Sequence, residues 1–81
     1  MKAILELIEV QSDPAGEPRR FRFRQQVYTV TAVVERWLYG GQWWRNESPR
    51  RCYRVEAEGL MAELHVEDGP GGRWWLAAIQ D

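Results

Sequence analysis

The chain has 81 residues, of which 44% are hydrophobic and 28% charged, and its formal net charge is −1. This length suits one small domain over residues 1–81 with a thin core, and the composition excludes a disordered tail. The single cysteine, Cys52, excludes an internal disulfide and a cysteine-cluster zinc site. No apolar run of about 18 residues is present, which excludes a transmembrane helix. Charged residues interrupt the start of the chain where a signal peptide needs an apolar run, so we expect a cytoplasmic protein.

The first predicted strand covers residues 3–10, because β-branched residues recur there. Ile4, Ile8 and Val10 share one side of such a strand. A helix would also align Ile4 with Ile8, so a helix is the alternative for this segment. Residues 11–18 are rich in turn-forming residues and are predicted to form a loop.

The second predicted strand covers residues 19–24, where aromatic and basic residues alternate strictly. Phe21 and Phe23 are expected to face the core. The arginines between them are expected to project together from the opposite face at roughly 7 Å intervals, which is twice the rise per residue of a strand. These arginines are Arg20, Arg22 and Arg24. A turn at Gln25-Gln26 is expected to follow.

A long third strand is predicted over residues 27–39, although a helical stripe also fits this segment. Val, Thr and Tyr dominate it, and it ends at Gly40-Gly41, which suits a two-residue hairpin turn. The adjacent Val33-Val34 indicates a bulge where the inward side switches. By strict alternation, Tyr28, Val30, Ala32 and Val34 share one side of this strand, and Trp37 lies on the other.

Three further strands complete the prediction: a return arm over residues 42–57, interrupted near 46–49, and strands over 60–66 and 73–79. Gly59 and residues 67–72 are expected to turn the chain. Tyr53, Val55 and Ala57 share one side of the return arm, and Leu60, Ala62, Leu64 and Val66 share one side of the next strand. In the last strand, Trp74, Leu76 and Ala78 lie opposite Trp75, Ala77 and Ile79. About six short antiparallel strands predict an all-β fold, a small antiparallel barrel or roll that is SH3-like or similar.

Five tryptophans include two adjacent pairs, Trp43-Trp44 and Trp74-Trp75. Because neighbouring residues in a strand point to opposite faces, at least two indoles are expected away from the core. An exposed indole is costly in water. Three coverings are open: arginine side chains, a second copy of the chain, or a stacked nucleic-acid base.

Charge is uneven along the chain, with local sums of −3 over residues 1–18, +7 over 19–54 and −5 over 55–81. The basic middle segment has the sign that phosphate binding needs. The alternative is that oppositely charged strands pair across the sheet. The residues predicted to bind nucleic acid are Arg20, Arg22, Arg24, Trp43, Trp44, Arg45, Arg50, Arg51 and Arg54.

Catalytic and metal signals are weak, so we expect no enzyme, no cofactor and no metal site. His65 has no partner histidine at ligand spacing. Cys52 would be a nucleophile only with a base beside it, and His65 is predicted on the neighbouring strand. A thiol enzyme that uses these two residues is therefore the least favoured hypothesis.

Several aromatic and basic motifs resemble a family of small bacterial proteins of unknown function found in actinobacteria and the Thermus–Deinococcus group. The motifs are Pro18-Arg19-Arg20-Phe21-x-Phe23, Tyr28-x-Val30, Glu35-Arg36-Trp37, Trp43-Trp44-Arg45, Arg51-x-Tyr53-x-Val55, Gly72-Arg73-Trp74-x-Leu76 and Asp81. The resemblance covers about residues 17–81. A similar segment occurs in proteins of the actinobacterial mutagenic-repair system, including its inactive Y-family-polymerase-like member. The departures are Gln25-Gln26 in place of a glycine turn, Phe23 in place of tryptophan, and Cys52 before Tyr53.

The resemblance implies a small module linked to DNA repair or translesion synthesis, and it brings no catalytic residues. Combined with the basic middle segment, it favours a non-enzymatic binding module. The expected partner is single-stranded DNA or a repair protein. The alternative is a protein-interaction module or homodimer that uses exposed tryptophans. No membrane partner is expected.

Overall fold

Six antiparallel strands make up the computed structural model, which describes residues 2–40, 49–69 and 71–80. The strands are β1 (Lys2–Ser12), β2 (Pro18–Phe23), β3 (Gln26–Tyr39), β4 (Arg50–Ala57), β5 (Leu60–Glu67) and β6 (Trp74–Gln80). Each strand pairs with the next, and β1 also pairs with β6, so the sheet closes into a barrel. The predicted six-stranded all-β barrel is therefore confirmed. The described ranges contain no helix capable of crossing a membrane.

The inward-facing side chains of the strands form the core, as the alternation predicts. The core residues are Phe21, Phe23, Val30, Tyr53, Val55, Ala57, Ala62, Leu64, Val66 and Leu76. Ile4, Ile8 and Val10 pack against this core from β1, which settles the first segment as a strand rather than a helix. Side chains alternate between the core and the outer surface along each strand, because one face of the sheet packs on the core and the other faces outward.

Two hairpins turn on pairs of residues with positive φ. Arg24 (φ 51°) and Gln25 (φ 68°) join β2 to β3, and Glu58 (φ 48°) and Gly59 (φ 87°) join β4 to β5. Two consecutive residues with positive φ match the right-handed twist of the flanking strands. The turn at Gly59 is confirmed, whereas the first turn lies one residue earlier than the predicted Gln25-Gln26.

Bulges in β3 change which side chains face inward. The register with β4 shifts between Val30 and Ala32 and again between Val33 and Glu35. The second shift confirms the bulge predicted at Val33-Val34. Ala32 and Val34, which share a side with Val30 by strict alternation, are exposed, while Val33 packs against the core. Each extra residue in a bulge moves the following side chains to the opposite face.

A similar shift occurs where β6 meets β5. Leu64 pairs with Leu76, but Glu63 pairs with Ala78, so Ala77 is an extra residue on β6. Ile79 consequently packs against the core. Trp74 and Leu76 therefore face the core, whereas Ala78, which shares their side by strict alternation, does not.

The connection from β3 to β4 is described only at its two ends. The predicted Gly40-Gly41 turn, the interruption near 46–49 and the start of the return arm all involve residues 41–48. Those residues lie outside the described ranges. The return arm is a strand from Arg50 onward.

Candidate nucleic-acid interface

The outer face of β2 carries two of the arginines predicted to bind nucleic acid. Phe21 and Phe23 are 1% and 8% exposed, so the alternation of the strand directs Arg20 and Arg22 to solvent. Neither guanidinium has a carboxylate within 4.0 Å in the described part of the chain. The predicted orientation of these four side chains is confirmed.

The strands on either side of β2 determine what surrounds the two arginines. Arg20 lies in register between Gln11 of β1 and Thr29 of β3, which are uncharged hydrogen-bonding side chains. Arg22 lies opposite Glu9 of β1. A shallow groove of about 170 Å³ runs along both arginines. An anion is therefore bound more favourably in the part of the groove beside Arg20, because the Glu9 carboxylate repels an anion beside Arg22.

Arg24 departs from the predicted row of three arginines. It lies in the turn after β2, and its Nη2 donates a hydrogen bond to Oε1 of Glu6 at 3.0 Å. Its guanidinium carbon is 4.7 Å from the centroid of the Phe23 ring. The expected row therefore contains only Arg20 and Arg22.

Arg54 of β4 is held among carboxylates on the outer face of the barrel. Its guanidinium lies 2.7 Å from Oε1 of Glu35 on β3 and 3.7 Å from Oε1 of Glu63 on β5. Its carbon is 5.7 Å from the centroid of Trp37. A guanidinium with two carboxylate neighbours has little left to offer a phosphate.

The remaining predicted binding residues do not join the Arg20–Arg22 pair. Arg50 begins β4 opposite Glu67, and Arg51 lies at the end of the barrel on the inward side of β4. Because β3 separates β4 from β2, these side chains are on another part of the surface. The described residues thus do not assemble the single basic face that the sequence predicted. Three members of the prediction lie outside the described residues: Trp43, Trp44 and Arg45.

Three further arginines are paired with carboxylates. The pairs are Arg19 with Asp13, Arg36 with Glu17 and Arg73 with Glu67. Arg36 and Arg73 each contact both carboxylate oxygens of their partner. Acidic side chains of residues 1–18 thus pair with Arg19, Arg24 and Arg36 of the basic middle segment, in agreement with the alternative interpretation of the charge pattern.

Acidification is expected to destabilise the barrel through these ion pairs. Arg36 lowers the pKa of Glu17, and Arg73 lowers the pKa of Glu67, chiefly by side-chain hydrogen bonds. A carboxyl whose pKa is lower in the folded state stabilises the fold above the unfolded value of about 4.3. That contribution is lost as the pH falls through the folded value. Urea unfolding should therefore show a midpoint that decreases on acidification, and the double variant Glu17→Gln, Glu67→Gln should show a smaller decrease. An equal decrease would contradict this cause.

Cys52 and His65 are direct cross-strand neighbours on β4 and β5, as the sequence predicted. Cys52 is only 1% exposed, and burial raises the pKa of its thiol, which disfavours the reactive thiolate. Nε2 of His65 lies 3.0 Å from Oε2 of Glu63. Within the described ranges, no group of three or more His, Cys, Asp or Glu side chains is placed to hold a metal ion.

The second tryptophan pair divides between the two faces of β6, as expected. Trp74 packs against the core and stacks on Tyr53, with ring centroids 5.8 Å apart. Trp75 lies on the other face, where the guanidinium carbon of Arg73 is 5.6 Å from its ring centroid. Arginine therefore covers Trp75, which is one of the three coverings considered from the sequence.

Sequence reasoning missed two features of the surface around the arginine pair. Gln11 and Thr29 flank Arg20. The position of Thr29 follows from the register of the β2–β3 hairpin, and the sequence prediction placed the turn of that hairpin one residue too late. Leu5 and Leu7 of β1 are 62% and 53% exposed. The alternation of β1 did place these leucines opposite the inward isoleucines, so the signal for their exposure was present.

Comparison with known proteins gives a family but no activity. A family model described as "Domain of unknown function (DUF6504)" matches residues 1–81. None of the curated proteins is significantly similar to the chain. None of the solved structures matches it either.

Proposed function

The chain belongs to the DUF6504 family of domains of unknown function, and from its geometry we propose that it is a non-enzymatic binding module for nucleic acid. The outer face of β2, with Arg20 and Arg22, would contact the phosphate backbone. A link to DNA repair or translesion synthesis, in the cytoplasm, completes the proposal and rests on the family resemblance described above. Single-stranded DNA is the favoured ligand.

The single observation that carries the proposal is the unpaired state of Arg20 and Arg22. Ion pairs occupy five arginines of the described ranges, whereas Arg20 and Arg22 point to solvent with no carboxylate partner there. Arginine forms bidentate hydrogen bonds with phosphate, which gives both energy and orientation. Two guanidiniums at roughly 7 Å along one strand offer consecutive contacts to an extended anionic chain.

Removing both arginines is expected to weaken binding of labelled single-stranded DNA by at least about tenfold at low salt, since each hydrogen bond to a charged group contributes about 1.5–3 kcal/mol. The double variant Arg20→Ala, Arg22→Ala tests this in a fluorescence titration at two salt concentrations. The slope of log affinity against log salt concentration should also become less negative by about 1.4. Each phosphate contact with a single strand contributes about 0.7 to this slope, and two contacts are lost.

A matched control removes the same charge elsewhere. The double variant Arg19→Ala, Arg73→Ala deletes two arginines that are paired with carboxylates, and it should bind DNA nearly as tightly as the parent. Equal weakening by both double variants would show a general charge effect and contradict a specific face. No binding by the parent at low salt would overturn the proposal.

A protein partner is the second candidate, and the exposed leucines of β1 favour it. Leu5 and Leu7 expose apolar surface on β1, and Leu7 lines a shallow depression together with Arg22. Exposed apolar patches mark protein-interaction sites, and arginine is enriched in protein interfaces. A contact made by these leucines would persist at high salt, whereas phosphate contacts would weaken. A homodimer of this kind would also show a concentration-dependent sedimentation coefficient.

A further inference from the structure

A cavity of about 250 Å³ lies between the β1–β2 loop and the paired segments 36–38 of β3 and 51–53 of β4. It shares no lining residue with the groove along Arg20 and Arg22. β2 pairs with β3 only from Gln26 to Thr29, so the rest of β3 continues with β4 beyond the end of β2. The β1–β2 loop closes over this extension and forms the second wall.

Hydrogen bonds hold the loop in place over the hairpin. The Asp13 carboxylate accepts the backbone N–H groups of Ala15 at 3.0 Å and Glu17 at 2.9 Å. The Glu17 carboxylate then binds the guanidinium of Arg36 on β3. The loop wall of the cavity is therefore tied to β3, and the Glu17 carboxylate is already paired with Arg36.

Arg51 brings an uncompensated charge to this cavity. Its side chain is partly buried, its Nε is buried without a hydrogen-bond acceptor, and no carboxylate pairs with it in the described ranges. The guanidinium lies against Gly16, where an added Cβ would be 3.2 Å from Nη1. A partly buried, unpaired cation is unfavourable, and an anion in the cavity would compensate it.

The cavity also offers apolar surface beside that charge. Leu38 lies opposite Arg51 in the β3–β4 register and is 78% exposed, and the buried Tyr53 lines the inner end. The volume is below the 300–1,000 Å³ of typical sites for drug-sized molecules, which indicates a small occupant.

We propose that this cavity binds a carboxylate that carries a short apolar group, with Arg51 holding the carboxylate and Leu38 covering the apolar part. The chemistry fits a small free acid or the C-terminal residue of a polypeptide. The site is separate from the face of β2, so it does not depend on the proposed binding of nucleic acid.

The test follows the backbone amide NMR signals of Gly16 and Leu38 in the full chain during titration with N-acetyl-leucine. These signals should shift and saturate with N-acetyl-leucine, and the neutral analogue N-acetyl-leucinamide should bind at least about tenfold more weakly, because the charge-assisted hydrogen bonds are lost. A peptide acetyl-Gly-Gly-Ala-Leu with a free C-terminus distinguishes the sources. Tighter binding than N-acetyl-leucine supports a chain terminus, and equal binding supports a small free acid.

Variants assign the binding to the two side chains. Arg51→Gln should weaken binding of N-acetyl-leucine at least about tenfold, for the same reason. Leu38→Ala, at an exposed position that leaves the fold intact, should also weaken it. Arg20→Gln is the matched control and should have no effect. Equal binding of the amide, equal shifts with inorganic phosphate, or unchanged binding by Leu38→Ala would each overturn the proposal.

Discussion

Replacing Leu64 with alanine is expected to lower the free energy of unfolding by about 2–5 kcal/mol. Leu64 is 0% exposed and lies in register between Tyr53 of β4 and Leu76 of β6, at the centre of the core. The barrel cannot collapse around the missing methyl groups without disturbing two strand pairings. Domains of this size are stable by only about 5–15 kcal/mol, so the loss is a large fraction of the total. Urea unfolding followed by tryptophan fluorescence measures it.

The matched control for this substitution is Leu38→Ala. Leu38 is 78% exposed, and substitutions at such positions usually change stability by less than about 0.5 kcal/mol. The two variants remove the same atoms, so their difference isolates the effect of burial. A similar cost for both variants would contradict the assignment of Leu64 to the core.

The sequence was sufficient to predict the strands of this barrel because most strands have one buried face. The alternation at Phe21 and Phe23, and at Leu64 and Val66, gives a period of two that no helix produces. Residues 27–39 were ambiguous from apolar spacing alone. The β-branched composition decided that segment correctly, since such side chains pack well on a pleated surface.

Bulges account for the side chains whose orientation departs from strict alternation. Each bulge adds one residue to one strand, so Val33 replaces Val34 on the inner side of β3, and Ile79 replaces Ala78 on the inner side of β6. A bulge depends on how two strands fit together in the closed barrel, and one strand's sequence carries only part of that information. The pair Val33-Val34 was such a partial signal, whereas nothing similar marked Ala77.

The candidate site was predicted only as far as local alternation determines it. Arg20 and Arg22 lie on the outer face because Phe21 between them is buried. Arg24 was misplaced by the position of the turn, and the pairing of Arg54 with Glu35 depends on a register that sequence spacing does not specify. The net charge of residues 19–54 therefore did not predict which of their arginines pair with carboxylates and which face solvent unpaired.

Replacing Gly72 with alanine is expected to destabilise the chain by about 1–3 kcal/mol, the usual cost of overpacking. A Cβ at Gly72 would overlap the carbonyl oxygen of Glu67, which is backbone and cannot rotate away. Hydrogen bonds from Glu67 N–H to the Arg73 carbonyl, and from Arg73 N–H to the Glu67 carboxylate, hold this turn between β5 and β6. Thermal unfolding compares the variant with Gly40→Ala, whose added Cβ would meet no atom within 4 Å. Both substitutions restrict the unfolded chain equally, so a difference in melting temperature between the two variants reports the contact with Glu67. Equal melting temperatures would contradict the expected effect of that contact.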